Sequence, residues 1–264
     1  MTQTERRMYL ITALLKEQPQ YAKAEIPSGE AEQRLLLRAL LNIRMPKPVN
    51  NAFLTVQDAY LQEEIRQKGI TSLADLEPLQ KGLYLWRGDI TTLRCDAIVN
   101  AANSQMLGCF CPNHGCIDNA IHTYAGVQLR LACAELMKQQ VHEEEPGKAK
   151  MTPAFNLPCK VVMHTVGPIV RHRVTAKDKE LLASCYHSCL ELADKNHLKS
   201  IAFCCISTGE FRFPNEEAAQ IAMQTVKAYK AQTHSEMKVI FNVFKELDDN
   251  IYRKLLQADE QTEK

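Results

Sequence analysis

The sequence predicts an α/β fold with a largely parallel sheet, preceded by a helical extension. Two observations predict this fold. From Gly82 onward, short apolar runs alternate with long amphipathic stretches, which is the pattern of strands and helices in layered α/β proteins. Before about residue 80, the apolar residues recur at helical spacing only. We therefore expect two regions of different architecture.

The predicted extension covers residues 1–80. Apolar stripes lie within residues 9–14 and 35–40, and a third helix is predicted over residues 56–68. No Gly- or Ser-rich linker follows these helices. We therefore expect the extension to pack on a main domain of residues 81–264, and not to form a free module.

The main domain is predicted to contain strands and helices in alternation. The predicted strands are 83–86, 97–100, 161–165, 201–206 and 239–244. The predicted helices are 117–138, 177–196, 216–231 and 248–256. Sheets of this type bind ligands at the loops that leave the carboxyl ends of their strands. The chemically unusual residues of this chain fall in those loops.

The overall charge excludes strong electrostatic attraction to nucleic acid or to an anionic membrane. The chain has 32 Lys and Arg residues against 31 Asp and Glu residues, a net charge of +1. The N-terminus lacks the apolar core of a signal peptide, and no run is long enough for a membrane span. The 10 cysteines are therefore interpreted as thiols in a reducing compartment. We expect a cytoplasmic monomer that binds neither nucleic acid nor membrane.

The loop at residues 108–116 contains three thiols and one imidazole. The candidate ligands are Cys109 or Cys111, together with His114 and Cys116. Thiolates with an imidazole suit Zn²⁺, and three protein ligands with an open fourth position are typical of catalytic zinc. No second ligand pair of a zinc finger is evident. The alternative is a reduced loop that holds no metal.

Two polar residues of the next predicted helix, Asp118 and His122, lie close to the candidate metal ligands in sequence. Asp118 lies two residues after Cys116, where it would cap the helix, act as a carboxylate near the metal that orients or deprotonates a water, or do both. His122 lies on the apolar side of the same helix. We predict that it is a buried histidine whose ring nitrogens are hydrogen bonded.

Two further loops are candidates for ligand binding. After the strand at 201–206, small residues beginning with Ser207 favour a turn whose backbone N–H groups bind an anion. Asn215 is predicted to cap the following helix. Asp89 would either accept a hydrogen bond from an amino group, such as that of adenine, or close a turn.

Four short motifs lie along the predicted main domain. They are Gly-Asp-Ile-Thr at 88–91, Asp-Ala-Ile-Val-Asn-Ala-Ala-Asn at 96–103, Asp-Asn-Ala-Ile-His at 118–122 and Ile-Ser-Thr-Gly at 206–209. Their order and spacing are those found in macrodomains, which are ADP-ribose-binding modules. Residues 82–258 therefore resemble the macrodomain family. The resemblance implies a three-layer α/β/α fold with a mixed, largely parallel central sheet.

One departure from the common macrodomain pattern indicates which subgroup of the family this chain resembles. Most macrodomains carry a run of glycines before the Asp-x-Ala-Ile-His element, where this chain carries the cysteine- and histidine-rich loop. The loop is similar to that of zinc-dependent macrodomains, whose spacing selects Cys109 over Cys111. Those proteins are often encoded beside a sirtuin-type ADP-ribosyltransferase and a lipoyl-carrier protein that resembles glycine-cleavage H. Arg212 stands where many macrodomains carry glycine.

The resemblance implies a role for each site residue. ADP-ribose would contact Asp89, Ile90, Asn103, Ser207, Thr208, Gly209, Glu210 and Phe211. Zinc would be held by Cys109, His114 and Cys116, and the catalytic residues would be Asp118 and Asn103. Phe244 would cover the adenine ring or pack in the core.

The implied activity is zinc-dependent removal of mono-ADP-ribose from acidic side chains, foremost aspartate. The lipoyl-carrier protein is one candidate substrate, and the sirtuin-type transferase is the implied functional partner. The alternative is a reader that binds ADP-ribose without cleaving it and uses zinc only structurally.

Overall fold

A computed structural model describes residues 1–21 and 24–262, with side chains described through Leu256. The helices are α1 Gln3–Lys16, α2 Glu30–Ile43, α3 Asn51–Lys68, α4 Ile117–Ala125, α5 Val127–Gln140, α6 Ala176–Lys195, α7 Asn215–Thr233 and α8 Glu246–Thr262. The strands are β1 Thr71–Ser72, β2 Pro78–Gln80, β3 Leu83–Arg87, β4 Leu93–Arg94, β5 Ala97–Ala102, β6 Ala149–Pro153, β7 Val161–Val166, β8 Ser200–Phe203 and β9 Lys238–Val243.

The main sheet has seven strands in the order β2-β3-β9-β8-β5-β7-β6. The five inner strands are mutually parallel: β3, β9, β8, β5 and β7. The edge strands β2 and β6 are antiparallel to their neighbours β3 and β7. A separate short pair joins β1 to β4. The sheet is therefore mixed and largely parallel, as predicted.

Helices cover both faces of this sheet. Helix α7 packs against both α6 and α8, and α6 and α8 also contact strands of the sheet. Helices α4 and α5 pack together and contact β5 and β6. Strands β5 and β8 are buried along almost their whole length, as expected for parallel strands with both faces covered. The three-layer α/β/α architecture is confirmed.

Side-chain caps fix the ends of several helices. The helix α1 begins with a capping box, in which Thr2 accepts from the Glu5 backbone N–H and Glu5 accepts from the Thr2 backbone N–H. In α3, the Asn50 side chain accepts from the Phe53 N–H, and the helix ends at Gly69 with φ +88°. The cap predicted for α7 is wrong, because Pro214 precedes the helix and Asn215 is its first residue. The Asn215 side chain instead donates to Asp248 Oδ1 at 2.6 Å.

Three predictions of secondary structure are wrong. The single helix predicted at 117–138 is two helices, because Gly126 has φ +93° and ends α4 at Ala125. Helix α3 begins five residues before the predicted position 56. The region before residue 80 is not helical throughout, because it contributes β1 and β2. Both strands are too short to produce an alternating pattern.

The extension has its own apolar core, which interlocks with that of the sheet. Residues of α1, α2 and α3 form one buried cluster, and Val127 at the start of α5 belongs to it. Conversely, Ile65 of α3 belongs to the extension but is buried in the core of the main domain. Helices α2 and α3 pack against α4, and α1 packs on α2 and α3. The domain boundary at residues 80 and 81 stays a prediction.

Candidate active site

The site lies at the carboxyl edge of the parallel strands. The loop at 103–116 follows β5, the loop at 204–214 follows its neighbour β8, and Asp89 follows β3. Because these strands are parallel, their carboxyl ends meet at one edge of the sheet. The structure therefore brings all three sequence-predicted loops to the same side of the molecule.

The three predicted metal ligands come together within the loop after β5. The sulfurs of Cys109 and Cys116 and a ring nitrogen of His114 all lie within 4.8 Å of one another. The Cys109 Sγ is 3.7 Å from His114 Nδ1. Tetrahedral zinc holds sulfur and nitrogen ligands about 3.5–3.8 Å apart, given its usual bond lengths. The donor set and its spacing therefore fit zinc.

The neighbouring thiol of Cys111 is not part of this cluster. Cys111 is exposed, and its backbone carbonyl accepts a hydrogen bond from Asn119 Nδ2 at 3.0 Å. Within residues 24–256, no fourth ligand atom completes the cluster. An ion held there would keep one coordination position open to a ligand.

The second ring nitrogen of His114 faces a carboxylate. Its Nε2 lies 3.4 Å from Oε1 of Glu210, in the loop after β8. Metal-binding histidines commonly donate their other N–H to a carboxylate, which leaves the first nitrogen free to bind the ion. Glu210 therefore links the predicted nucleotide loop to the predicted metal ligand.

The start of α4 fixes the position of Cys116. Its Sγ accepts from the Asn119 backbone N–H at 3.4 Å, so Cys116 is the N-cap of the helix. The cap interpretation of Asp118 is therefore wrong. At the other end of the loop, Gly108 has φ +79°, and a Cβ there would lie 2.7 Å from the His122 ring. Only glycine is therefore compatible with this position, where the chain enters the candidate metal-binding loop at residues 108–116, hereafter the metal loop.

The carboxylate of Asp118 is buried behind the metal loop. It accepts a hydrogen bond from Asn100 Nδ2 of β5 at 2.8 Å, and His122 Nε2 lies 3.5 Å away. Burial raises the pKa of Asp118 to about 6, while the Asn100 hydrogen bond and the charge of Arg130 act in the opposite direction. Its catalytic role stays a prediction.

A second buried cluster lies beneath Asp118. Ring nitrogens of His122 and His164 and the Cys133 sulfur approach to ligand distance. Both ring nitrogens of His164 already contact Asn100 and Thr152, however, so we assign no ion there. His122 is buried as predicted, but neither of its ring nitrogens has a hydrogen-bond partner in the described structure. Burial holds the pKa values of both histidines well below 6.5, so they are neutral.

The loop after β8 forms a closed turn with free backbone donors. Phe213 N donates to Ser207 O at 2.9 Å, and Arg212 N donates to Gly209 O at 3.0 Å. Ser207 and Arg212 have φ values of +65° and +59°, so Arg212 adopts a conformation that favours glycine. The N–H groups of Gly209, Glu210 and Phe211 donate to no acceptor among residues 1–21 and 24–262. Adjacent free N–H groups of this kind suit an anion such as a diphosphate.

At the far end of the site, Asp89 closes a turn and pairs with the extension. Its Oδ1 accepts from the Thr91 N–H at 3.0 Å, and its Oδ2 lies 2.8 Å from Lys68 Nζ. Burial raises the pKa of Asp89, but the Lys68 and Thr91 hydrogen bonds outweigh this effect and lower it. The turn interpretation is confirmed, and the contact with adenine stays a prediction. The following residue, Ile90, is buried.

Two other predicted contacts have contrasting environments. Asn103 stabilises its own loop, because its side chain donates to Gly108 O at 3.2 Å and accepts from Gln105 N at 3.1 Å. Phe244 is 74% exposed just after β9. The core interpretation of Phe244 is therefore wrong. Its ring is exposed at the carboxyl end of β9, on the side of the sheet where ligand binding is predicted.

Comparison with known proteins identifies the family. Residues 99–222 match the Macro domain model. A protein named "Protein-ADP-ribose hydrolase" from Treponema medium is 59% identical over 260 residues, which cover 97% of this chain and 100% of that protein. This chain belongs to the macro domain family.

Other relatives of this macro domain extend the comparison. A solved Trypanosoma brucei macrodomain, described as a complex with ADP-ribose, matches with a TM-score of 0.64 and 27% identity, covering 87% of this chain and 97% of that one. A Fusarium oxysporum f. sp. cubense protein named "Probable bifunctional ADP-ribose hydrolase/ADP-ribosyltransferase" is 41% identical, covering 91% of this chain and 44% of that protein.

Several residues that surround the macro domain site were missed by sequence reasoning. Arg130 of α5 donates through Nε to Leu107 O at 2.7 Å, and its guanidinium stacks on the Phe110 ring at 4.3 Å. Lys68 and Arg38 reach the site from the extension. Their only sequence signal is a basic side chain on a helix, which is too common to be diagnostic.

Among the described residues, no helix has the length and apolar character needed to span a membrane.

Proposed function

We propose that this macro domain is a zinc-dependent protein-ADP-ribose hydrolase that removes mono-ADP-ribose from acidic side chains, foremost aspartate. The observation that carries the proposal is that donor atoms of Cys109, His114 and Cys116 lie within 4.8 Å of one another, with no fourth protein ligand among the described residues. Glu210, in the loop with unpaired N–H groups, contacts one member of this cluster. The names of close relatives support the hydrolase activity.

The ligand would lie along the carboxyl edge of the sheet. Its diphosphate would accept hydrogen bonds from the free N–H groups of Gly209, Glu210 and Phe211. The adenine would lie toward Asp89, and the distal ribose would lie toward Asn103 at the start of the metal loop. This order places the sugar end of the nucleotide beside the predicted metal ligands. The ADP-ribose complex of the Trypanosoma brucei macrodomain supports binding of this ligand.

Zinc held by Cys109, His114 and Cys116 would supply a Lewis acid at the ribose end of the ligand. The thiolates would balance the charge of the ion, and Glu210 would keep His114 oriented with Nδ1 toward it. Hydrolysis of the ester adds water and yields ADP-ribose and a free carboxylic acid. Asp118 would orient the attacking water or accept its proton.

The modified substrate must come from an ADP-ribosyltransferase. The Fusarium oxysporum relative carries both activities in its name, which supports a functional pairing of the two. We propose a sirtuin-type transferase as the partner and a lipoyl-carrier protein that resembles glycine-cleavage H as a substrate. Both proposals rest on the resemblance to zinc-dependent macrodomains.

The proposal predicts linkage-selective, metal-dependent release of ADP-ribose. We expect release from aspartate-linked substrate, loss of that release after treatment with a chelator, and recovery when zinc is added. The measurement compares free ADP-ribose from proteins modified on aspartate, serine or arginine, with zinc analysis of the same samples. Release that survives complete zinc removal would contradict the proposal. Binding of ADP-ribose without release from any linkage would instead favour a reader.

A further inference from the structure

Helix α2 of the extension contacts the backbone of the metal loop directly. Arg38 Nη2 donates to the His114 carbonyl at 3.0 Å, and Asn42 Oδ1 accepts from the Asn113 N–H at 2.9 Å. His114 is a predicted ligand, and Asn113 immediately precedes it. The extension thus holds two adjacent backbone groups of the loop.

Asn119 of α4 connects Arg38 to two further residues of the loop, Cys111 and Cys116. Arg38 Nη2 also donates to Asn119 Oδ1 at 2.8 Å, and Asn119 Nδ2 donates to the Cys111 carbonyl at 3.0 Å. The Asn119 backbone N–H donates to the sulfur of Cys116. Asn119 is fully buried, so its amide orientation is fixed by these partners. Arg38 therefore acts on Cys111, His114 and Cys116 through one connected set of hydrogen bonds.

The loop needs these partners because it has little regular structure of its own. The turn from His114 N to Cys111 O, at 3.3 Å, is its only backbone hydrogen bond within residues 109–115. Asn113 has φ +55°, which is unfavourable for most residues. Residues 111–113 and 115 are exposed, so contacts from outside the segment, and not the burial of its backbone, fix its conformation. Helix α2 supplies those contacts.

Among the described residues, the side chains of Arg38 and Asn42 form hydrogen bonds only with the loop at 108–116 and with α4. Asn42 is 1% exposed, and burying an amide is costly unless it is hydrogen bonded. Its other contact is a hydrogen bond from Nδ2 to Thr123 Oγ1 of α4, at 2.9 Å. Arg38 makes no ion pair among the described residues, and all of its hydrogen bonds go to His114 and Asn119. Both side chains are therefore directed at the metal loop and at α4.

We infer that Arg38 and Asn42 are positioning residues that hold the metal loop in its ligand geometry. The N-terminal extension is then a structural part of the metal site, although it lies outside the segment that matches the family model. The inference rests on the zinc site of the proposed function. Loss of groups that orient metal ligands typically lowers metal affinity by about 10- to 100-fold.

The test compares Arg38→Ala with Arg34→Ala in the full chain. Arg34 is one turn earlier on α2 and, within the part of the chain that the structure describes, pairs with Glu30 and Glu64 of the extension, so it is a matched control. Zinc affinity is measured by competition with a chromophoric chelator. Hydrogen exchange of residues 108–116 is measured in metal-free protein. We expect Arg38→Ala to weaken zinc binding about 10- to 100-fold and to accelerate exchange in the loop, relative to Arg34→Ala.

A conservative variant separates positioning from a general loss of folding. Arg38→Lys keeps the positive charge but cannot bind both acceptors with a planar fork, so we expect intermediate zinc affinity. If Arg38→Ala matches Arg34→Ala in zinc affinity and in loop exchange, the inference is overturned. If the wild-type protein binds no zinc, the proposed function fails. In that case, unchanged loop exchange in Arg38→Ala also overturns the positioning role, and faster exchange upholds it.

Discussion

Replacing Cys116 with serine is expected to abolish zinc binding and hydrolysis together without unfolding the protein. Cys116 caps α4 through its sulfur, and serine is a favoured N-cap residue, so the helix start is preserved. Serine does not replace a thiolate as a zinc ligand, and only Cys109 and His114 would remain. We expect zinc affinity and turnover to fall by at least about 100-fold, beyond the usual effect of residues outside the ligand set.

The same loop provides a matched control for this variant. Cys111→Ser changes an exposed thiol that lies outside the ligand cluster, so zinc content and turnover should stay at wild-type levels. Zinc content, the rate of ADP-ribose release and the melting temperature are measured for both variants. Full turnover by Cys116→Ser after its zinc has been lost would refute the assignment.

The second large effect is expected from Asp118→Asn. Asparagine has nearly the same shape as aspartate, and its amide oxygen can still accept the hydrogen bond from Asn100. The substitution removes the negative charge that would orient water or accept its proton. We expect kcat to fall by about 10²- to 10⁴-fold, while zinc content and ADP-ribose affinity change little.

Asp96→Asn is the control, because it removes a carboxylate that is also partly shielded from water. Asp96 precedes β5 at the amino ends of the parallel strands, away from the candidate site, where it pairs with Lys160 and accepts from the Lys199 N–H. Its replacement should leave kcat unchanged, even if stability falls. An Asp118→Asn variant with wild-type kcat would remove Asp118 from the mechanism. Joint loss of zinc and turnover would give it a structural role instead.

The fold was largely predictable because its central strands are continuous apolar runs. The residues of β5 and β8 are buried on both faces, so their sequence carries a strong signal. The missed strands β1, β2, β4 and β6 are short or lie at the sheet edge. Their pairing depends on neighbours that are distant in sequence, so periodicity alone does not reveal them.

The proximity of the candidate metal ligands was predictable because all three lie in one short loop. Local spacing could not choose between Cys109 and Cys111, and the choice required the family resemblance and the loop conformation. Contacts across the sequence were not predictable in the same way. Arg38 contacts Asn119 across 81 positions, and this pairing arises only when the extension packs on α4.

The proposed function depends on zinc bound by two sulfurs and one imidazole nitrogen, with one coordination position open to a ligand. X-ray absorption spectroscopy of the zinc-loaded protein, before and after ADP-ribose is added, measures these ligands. We expect two sulfurs at about 2.3 Å and lighter ligands at about 2.0–2.1 Å, with a change confined to the lighter ligands when ADP-ribose binds. A third sulfur, or a coordination shell that does not respond to ADP-ribose, would contradict the open catalytic site.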